Sequence, residues 1–156
     1  MSTLENDTAR PSAAAELASY LATAPLLACL AYVLLPAGYH AHELAQRGAI
    51  AWAAVLLAGT GAVHWGLALA GRLRAPALRT AASAAPAVVA AAAVLIGGQR
   101  ALALLVVGFG LFWLYEHRAL GTQLPPAYLS LRRNLSVAVC TLLALTLIAS
   151  DAAGLL

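Results

Sequence analysis

Residues 81–98 read AASAAPAVVAAAAVLIGG, and whether this stretch crosses a bilayer decides between a four-helix and a five-helix membrane fold. Half of it is alanine and it carries Pro86, so on its own it inserts weakly. Its neighbours are stronger: residues 17–35, 49–70, 101–115 and 134–150 are the other apolar runs. A spanning helix needs about 20 apolar residues, with about 17 as the lower limit. Arginine placement decides the doubtful run. With five spans and the N-terminus inside, Arg10, Arg72, Arg74, Arg79, Arg118, Arg132 and Arg133 face the cytoplasm and only Arg47 and Arg100 face out. Without residues 81–98 as a span, five arginines fall inside and four outside, which is no bias. Cytoplasmic loops concentrate basic residues. The reading is therefore an all-α, polytopic bundle of five transmembrane helices, N-terminus cytoplasmic and C-terminus outside, with Gly97-Gly98-Gln99-Arg100 as a tight outer hairpin.

Composition agrees. The 156 residues are 63% hydrophobic and 10% charged, against about 25% charged in soluble domains. The net charge is +3, from nine arginines and no lysine. The arginines flank apolar runs and form no continuous basic stripe, so the lipid bilayer is the expected partner and nucleic acid is not. Arginine without lysine, and abundant alanine, point to a bacterial inner membrane. Residues 1–16 form a polar tail with Glu5, Asp7 and Glu16 against one arginine, which fits neither a secretory signal nor a mitochondrial presequence; it is read as disordered, and residues 17–156 as one transmembrane domain. Cys29 and Cys140 lie within apolar runs, outside any metal-binding pattern. Pro25 and Pro86 imply kinks whose freed backbone groups need neighbours.

The second run holds the most information. Ala54, Ala58, Ala62, Gly66 and Ala70 recur every four residues, a stripe that lets helices approach closely in lipid. Thr60, Gly61 and His64 mark another face, so both faces are expected to be protein-facing and this run to be the central helix. Gly59-Thr60-Gly61 is no nucleotide fingerprint, since the third glycine and the preceding strand are missing. His64 lies about 9 Å, six residues at 1.5 Å each, from the cytoplasmic end, a depth at which an ionisable group is a functional candidate. His40, His42 and Glu43, read as part of an outer loop, are metal-ligand types, although histidines two apart share a helix face poorly. Glu116 and Arg132 are assigned to the same membrane face as His64, together with Thr80, Ser83, Asn134 and Ser136, and so could line a cytoplasmic-side polar pocket.

Two blocks resemble a known family. Gly61-Ala-Val-His64-Trp65-Gly66-Leu-Ala-Leu is one. The other runs from Gly108-Phe-Gly-Leu-Phe-Trp113-Leu-Tyr115-Glu116-His-Arg118 to Leu124-Pro125-Pro-Ala-Tyr128-Leu-Ser-Leu-Arg132. Both are similar to the transmembrane-protein-69-like family, whose domain is catalogued as one of unknown function. The family's usual Asp is Glu116 here, its second basic residue is Ser130, its Pro is Asn134, and a typical Ser-Phe pair is Ala58-Gly59. The resemblance implies a five-span membrane protein, bacterial or mitochondrial, of no established activity. It raises Gly61, His64, Trp65, Gly66, Tyr115, Glu116 and Arg132 above the other polar and small residues.

Three functions follow as expectations. The first is a non-enzymatic accessory or assembly partner of a larger membrane complex, docking through the small-residue stripe and needing no cofactor. The second is a small transporter or proton-coupled carrier using His64, Glu116 and Arg132. The third is a haem or metal protein using His64, for which His117 is the only nearby second histidine. An enzyme is not expected, because no nucleophile and base lie in register; Ser83 with His64 is unsupported by spacing.

Overall fold

The computed structural model describes residues 13–35, 38–71, 76–121, 124 and 126–154. All regular structure among them is α-helical: α1 (Ala13–Leu21), α2 (Ala24–Leu34), α3 (Tyr39–Leu69), α4 (Pro76–Ile96), α5 (Gly98–Leu120) and α6 (Pro126–Gly154). The polar tail overlaps this description only at residues 13–16, and these are helical, a correction to the reading of disorder. Residues 1–12 lie outside the described residues.

The first apolar run is one rod broken in the middle. Pro25 has no N–H to give to the carbonyl four residues back, and the amide of Leu26 turns to Thr23 instead, at 3.0 Å. The carbonyl of Ala22 is thereby released. It accepts the indole N–H of Trp52 from α3 at 2.7 Å, so a neighbouring helix satisfies what the proline frees, as lipid requires. At Pro86, by contrast, α4 continues as an unbroken helix.

Four rods are long and apolar enough to cross a membrane: Glu16–Leu34, Tyr39–Leu69, Gly98–Ala119 and Pro126–Ala152. The apolar part of α4, Thr80–Ile96, is shorter. It nevertheless packs against α3 and α5. Ala90 and Ala93 are buried against a core that includes Leu57, Leu102, Leu105 and Leu143. Gly61 marks where α3 and α4 cross, because a Cβ added there would strike the backbone carbonyl of Ser83. Gly97 and Gly98 both sit in the left-handed region, at φ 66° and 61°, and fold α4 back into α5 with no intervening loop. α3 and α5 consequently run parallel, with α4 and α6 antiparallel to them. At the hairpin end Gln99 donates to Asp151 of α6 at 3.0 Å.

One expectation about α3 needs correction. His40, His42 and Glu43 are not a loop; they lie in the first turns of a 31-residue helix. The hydropathy run begins at residue 49, but the helix needs only compatible residues and local support. Glu43 supplies this by pairing with Arg47 one turn on, at 2.6 Å. The His42 ring bonds the carbonyl of Leu35 at 3.0 Å and so closes the C-terminal end of α2.

The small-residue stripe turns away from this chain's own core along α3. Ala54 is buried, Ala58 half-buried, and Ala62, Gly66 and Ala70 are exposed. At 100° per residue a four-residue repeat drifts by about 40° each step, or about 160° from Ala54 to Ala70. Over the same length Leu57, Thr60, Gly61, His64 and Ala68 are buried, and these hold the inward face.

Candidate functional site

His64 follows Thr60 by one helical turn, and the backbone carbonyl of Thr60 lies 3.0 Å from its Nδ1. A carbonyl oxygen only accepts, so the ring hydrogen resides on Nδ1 and is donated there. This points Nε2 away from α3, to within 3.3 Å of Glu116 Oε1 on α5. Arg132 of α6 donates its Nε–H to the same carboxylate, at 3.1 Å to Oε2 and 3.4 Å to Oε1. Three helices are therefore joined through one carboxylate. His64 and Glu116 are nearly sealed, with side chains 2% and 1% exposed, and Arg132 is 16% exposed.

The surroundings are apolar on both sides. Phe112, one turn before Glu116, presents its edge to the His64 ring at 5.2 Å and 88°. On the hairpin side lies the main core, with Leu57 and Phe109. One turn beyond the triad in each helix, a second cluster of Ala68, Tyr115, Ala119, Leu124, Tyr128 and Leu129 closes the other end. The triad thus sits between a core and an apolar plug, near one end of the bundle.

The proton inventory of this arrangement is unusual. With Nδ1 carrying the hydrogen, a neutral His64 would turn a lone pair towards an ionised carboxylate, acceptor facing acceptor. Nε2 has no directed hydrogen bond among the described residues although it lies within ion-pair distance. One further proton, on His64 or on Glu116, converts this contact into a hydrogen bond. The Nε2 lone pair is sealed behind Glu116, with side chains 2% and 1% exposed, so a haem iron could reach it only by displacing that carboxylate. His117 stacks on Trp113 at 5.8 Å and 15° instead of approaching His64. Among the described residues no cluster of three metal-ligating side chains exists, and His40, His42 and Glu43 make only the local contacts given above and the edge contact of His40 with Tyr39.

The sequence grouped His64, Glu116 and Arg132 at one end, and the structure brings these three into contact. Tyr115 is half-buried in the apolar plug. Trp65 and Gly66 are exposed on the outer side of α3, and Asn134 on that of α6. Ser83 is buried but gives its hydroxyl to the carbonyl of Thr80 at 2.6 Å, at the crossing with Gly61. The sequence reading did not recognise the Thr60 carbonyl or Phe112 as parts of the site. Both precede a triad residue by four positions, which was the available signal.

An all-helical bundle of apolar rods joined by a buried ionic triad defines a membrane protein. The chain belongs to the family described as "Protein of unknown function (DUF3429)", which matches residues 11–148 and so extends beyond both sequence blocks. No curated protein and no solved structure matches the chain.

Proposed function

We propose that the protein is a small proton-coupled carrier of the bacterial inner membrane, with the His64–Glu116 contact as its proton site. One observation carries this reading: a buried histidine whose tautomer is fixed by the Thr60 carbonyl faces a carboxylate across 3.3 Å. Ionisable residues deep in a membrane bundle are costly and mark ion or proton pathways. Arg132 already balances one carboxylate charge, so the extra proton is the variable element. Its location behind a thin apolar plug of Tyr115, Leu124 and Tyr128 suits a site that opens to one side.

Five spans with an inner N-terminus fit this reading. His64 and Glu116 lie near the same ends of two parallel helices, which supports a return of the chain between them through α4. The seven arginines assigned to the triad side support a cytoplasmic position for that side.

The test uses purified full-length protein in vesicles that hold a pH-sensitive dye. An acid gradient is imposed, charge is clamped with potassium and valinomycin, and the small-molecule fraction of a cell lysate is supplied outside. Proton influx above that of empty vesicles, reduced at least tenfold by Glu116→Gln, is the expected result. Influx equal to empty vesicles with and without the fraction overturns the reading.

A second reading has its own observation. Ala62, Gly66 and Ala70 turn outward and offer a close-approach surface for a helix of another membrane protein, which supports an accessory role. Mild crosslinking and affinity purification from native membranes that yield only free monomer would remove it.

A further inference from the structure

A cavity of about 170 Å³ lies beside the triad, between the broken first rod and α3, α5 and α6. Its polar lining is Ser19, Thr23, Arg132 and Ser136, and Phe109 and Val139 contribute to its apolar wall. Two features there point the same way. Arg132 spends its Nε–H on Glu116, while its Nη hydrogens have no acceptor among the described residues. Ser136 is 5% exposed and its hydroxyl is without a partner among the described residues.

We infer that this cavity is a binding site for a small oxyanion, a carboxylate or phosphate group, held by the Arg132 guanidinium and the Ser136 hydroxyl. The guanidinium fork matches such a group bidentately. The volume is about that of five or six water molecules at roughly 30 Å³ each, and is below the roughly 300 Å³ of pockets that take drug-sized ligands. The ligand, or the part of it that enters, is therefore a head group of a few atoms. This inference rests on the carrier reading and deepens it by naming the cargo class. Charge balance links the two. With its extra proton the triad carries one net positive charge, whether the proton is on His64 or on Glu116. An uncompensated charge is expensive in an apolar interior. An anion at Arg132 removes it, so proton and anion are expected to occupy the site together.

Binding is measured without transport, which separates failure of this inference from failure of the carrier reading. The full-length protein in an uncharged detergent is titrated with sodium acetate, sodium phosphate and sodium chloride at matched ionic strength, and separately with phosphatidylglycerol against phosphatidylcholine. The thermal unfolding midpoint is followed. A saturating rise with acetate or phosphate, absent with chloride, identifies a soluble anion. A saturating rise with phosphatidylglycerol alone identifies a lipid phosphate as the source of the same chemistry. Ser136→Ala is expected to weaken binding about tenfold, the scale of one hydrogen bond to a charged group, and Ser136→Leu to abolish it by filling the cavity. Circular dichroism and elution volume establish that each variant is folded. No saturating response to acetate, phosphate or phosphatidylglycerol overturns the inference. A response that chloride reproduces, or that a folded Ser136→Leu retains, overturns it as well.

Discussion

Glu116 accepts from Arg132 on one oxygen pair and faces His64 on the other side, so substitutions there separate charge from shape. Removing one partner of a buried pair leaves the other uncompensated and costs about 3–5 kcal/mol. Glu116→Ala is expected to lower thermal stability in detergent on that scale. Replacing both charges, as Glu116→Leu with Arg132→Met, is expected to recover most of the loss, because apolar substitutes of similar volume are often neutral or better. Glu116→Gln is a different case. Its amide oxygen accepts from Arg132 and its NH2 donates to the His64 lone pair, so it supplies the missing hydrogen permanently. It keeps both hydrogen bonds but leaves the Arg132 charge without its counter-ion, so its stability is expected to fall between those of the parent and Glu116→Ala while proton exchange is lost. Nitrogen-15 spectra of labelled histidine should show His64 with its hydrogen on Nδ1 in both proteins; a hydrogen on Nε2 alone would contradict the site geometry. The triad was partly legible in the sequence because all three residues are ionisable types next to apolar runs. Ser136, one turn after Arg132, was grouped on that face with Thr80, Ser83 and Asn134, but nothing in the sequence separates it from them; its hydroxyl, buried without a partner among the described residues, does.

The glycines of α3 show how an element's sequence can mislead until its neighbours are known. Gly59 and Gly61 are both mid-helix and two residues apart, yet a Cβ at Gly59 meets nothing within 4 Å while one at Gly61 meets the Ser83 carbonyl. Gly59→Ala is expected to be neutral or stabilising by up to about 1 kcal/mol through helix propensity. Gly61→Ala must push α4 away and should destabilise by about 1–3 kcal/mol, read as a drop in the unfolding midpoint. Trp52 offers a second element-scale check. Trp52→Phe retains most of the ring but orphans the Ala22 carbonyl, with an expected loss of about 1–3 kcal/mol and greater protease sensitivity at the α1–α2 break. The expectation that neighbouring helices would satisfy the backbone around Pro25 follows from the properties of lipid alone. That the neighbour would be Trp52 depended on the packing of the first rod against α3, which no local pattern encodes. The stripe from Ala54 to Ala70 shows a related limit of local pattern. Repetition in sequence is exact at four residues, but the helix turns every 3.6, so a long enough stripe leaves the face on which it started.

At the level of the whole molecule, the weak α4 raises the question of topology again. Its apolar section is 17 residues, Thr80–Ile96, about 25 Å at 1.5 Å per residue against a hydrocarbon core of about 30 Å. Neighbours compensate for what it lacks. Its alanines permit close packing against α3, and the Gly97–Gly98 turn ties its end directly to α5. Helix propensity and hydropathy score α4 as an isolated rod; the arginine distribution instead bears on the inserted arrangement. The arrangement makes a definite demand on the membrane. If α4 crosses, Gln99 and Asp151 share one side, consistent with their hydrogen bond, and the triad end faces the other. Cysteines introduced singly at Leu78 and Gln99, on either side of the apolar part of α4, after replacement of Cys29 and Cys140 by alanine, should be labelled from opposite sides of intact cells by a membrane-impermeant maleimide: Gln99 from outside, Leu78 only after permeabilisation. Reporter fusions after Leu156 should likewise report an external C-terminus. Labelling of both positions from the same side would mean that α4 does not cross. In that case His64 and Glu116 would lie near opposite faces of the bilayer and could not meet, so the same result would dissolve the proton site along with the five-span topology.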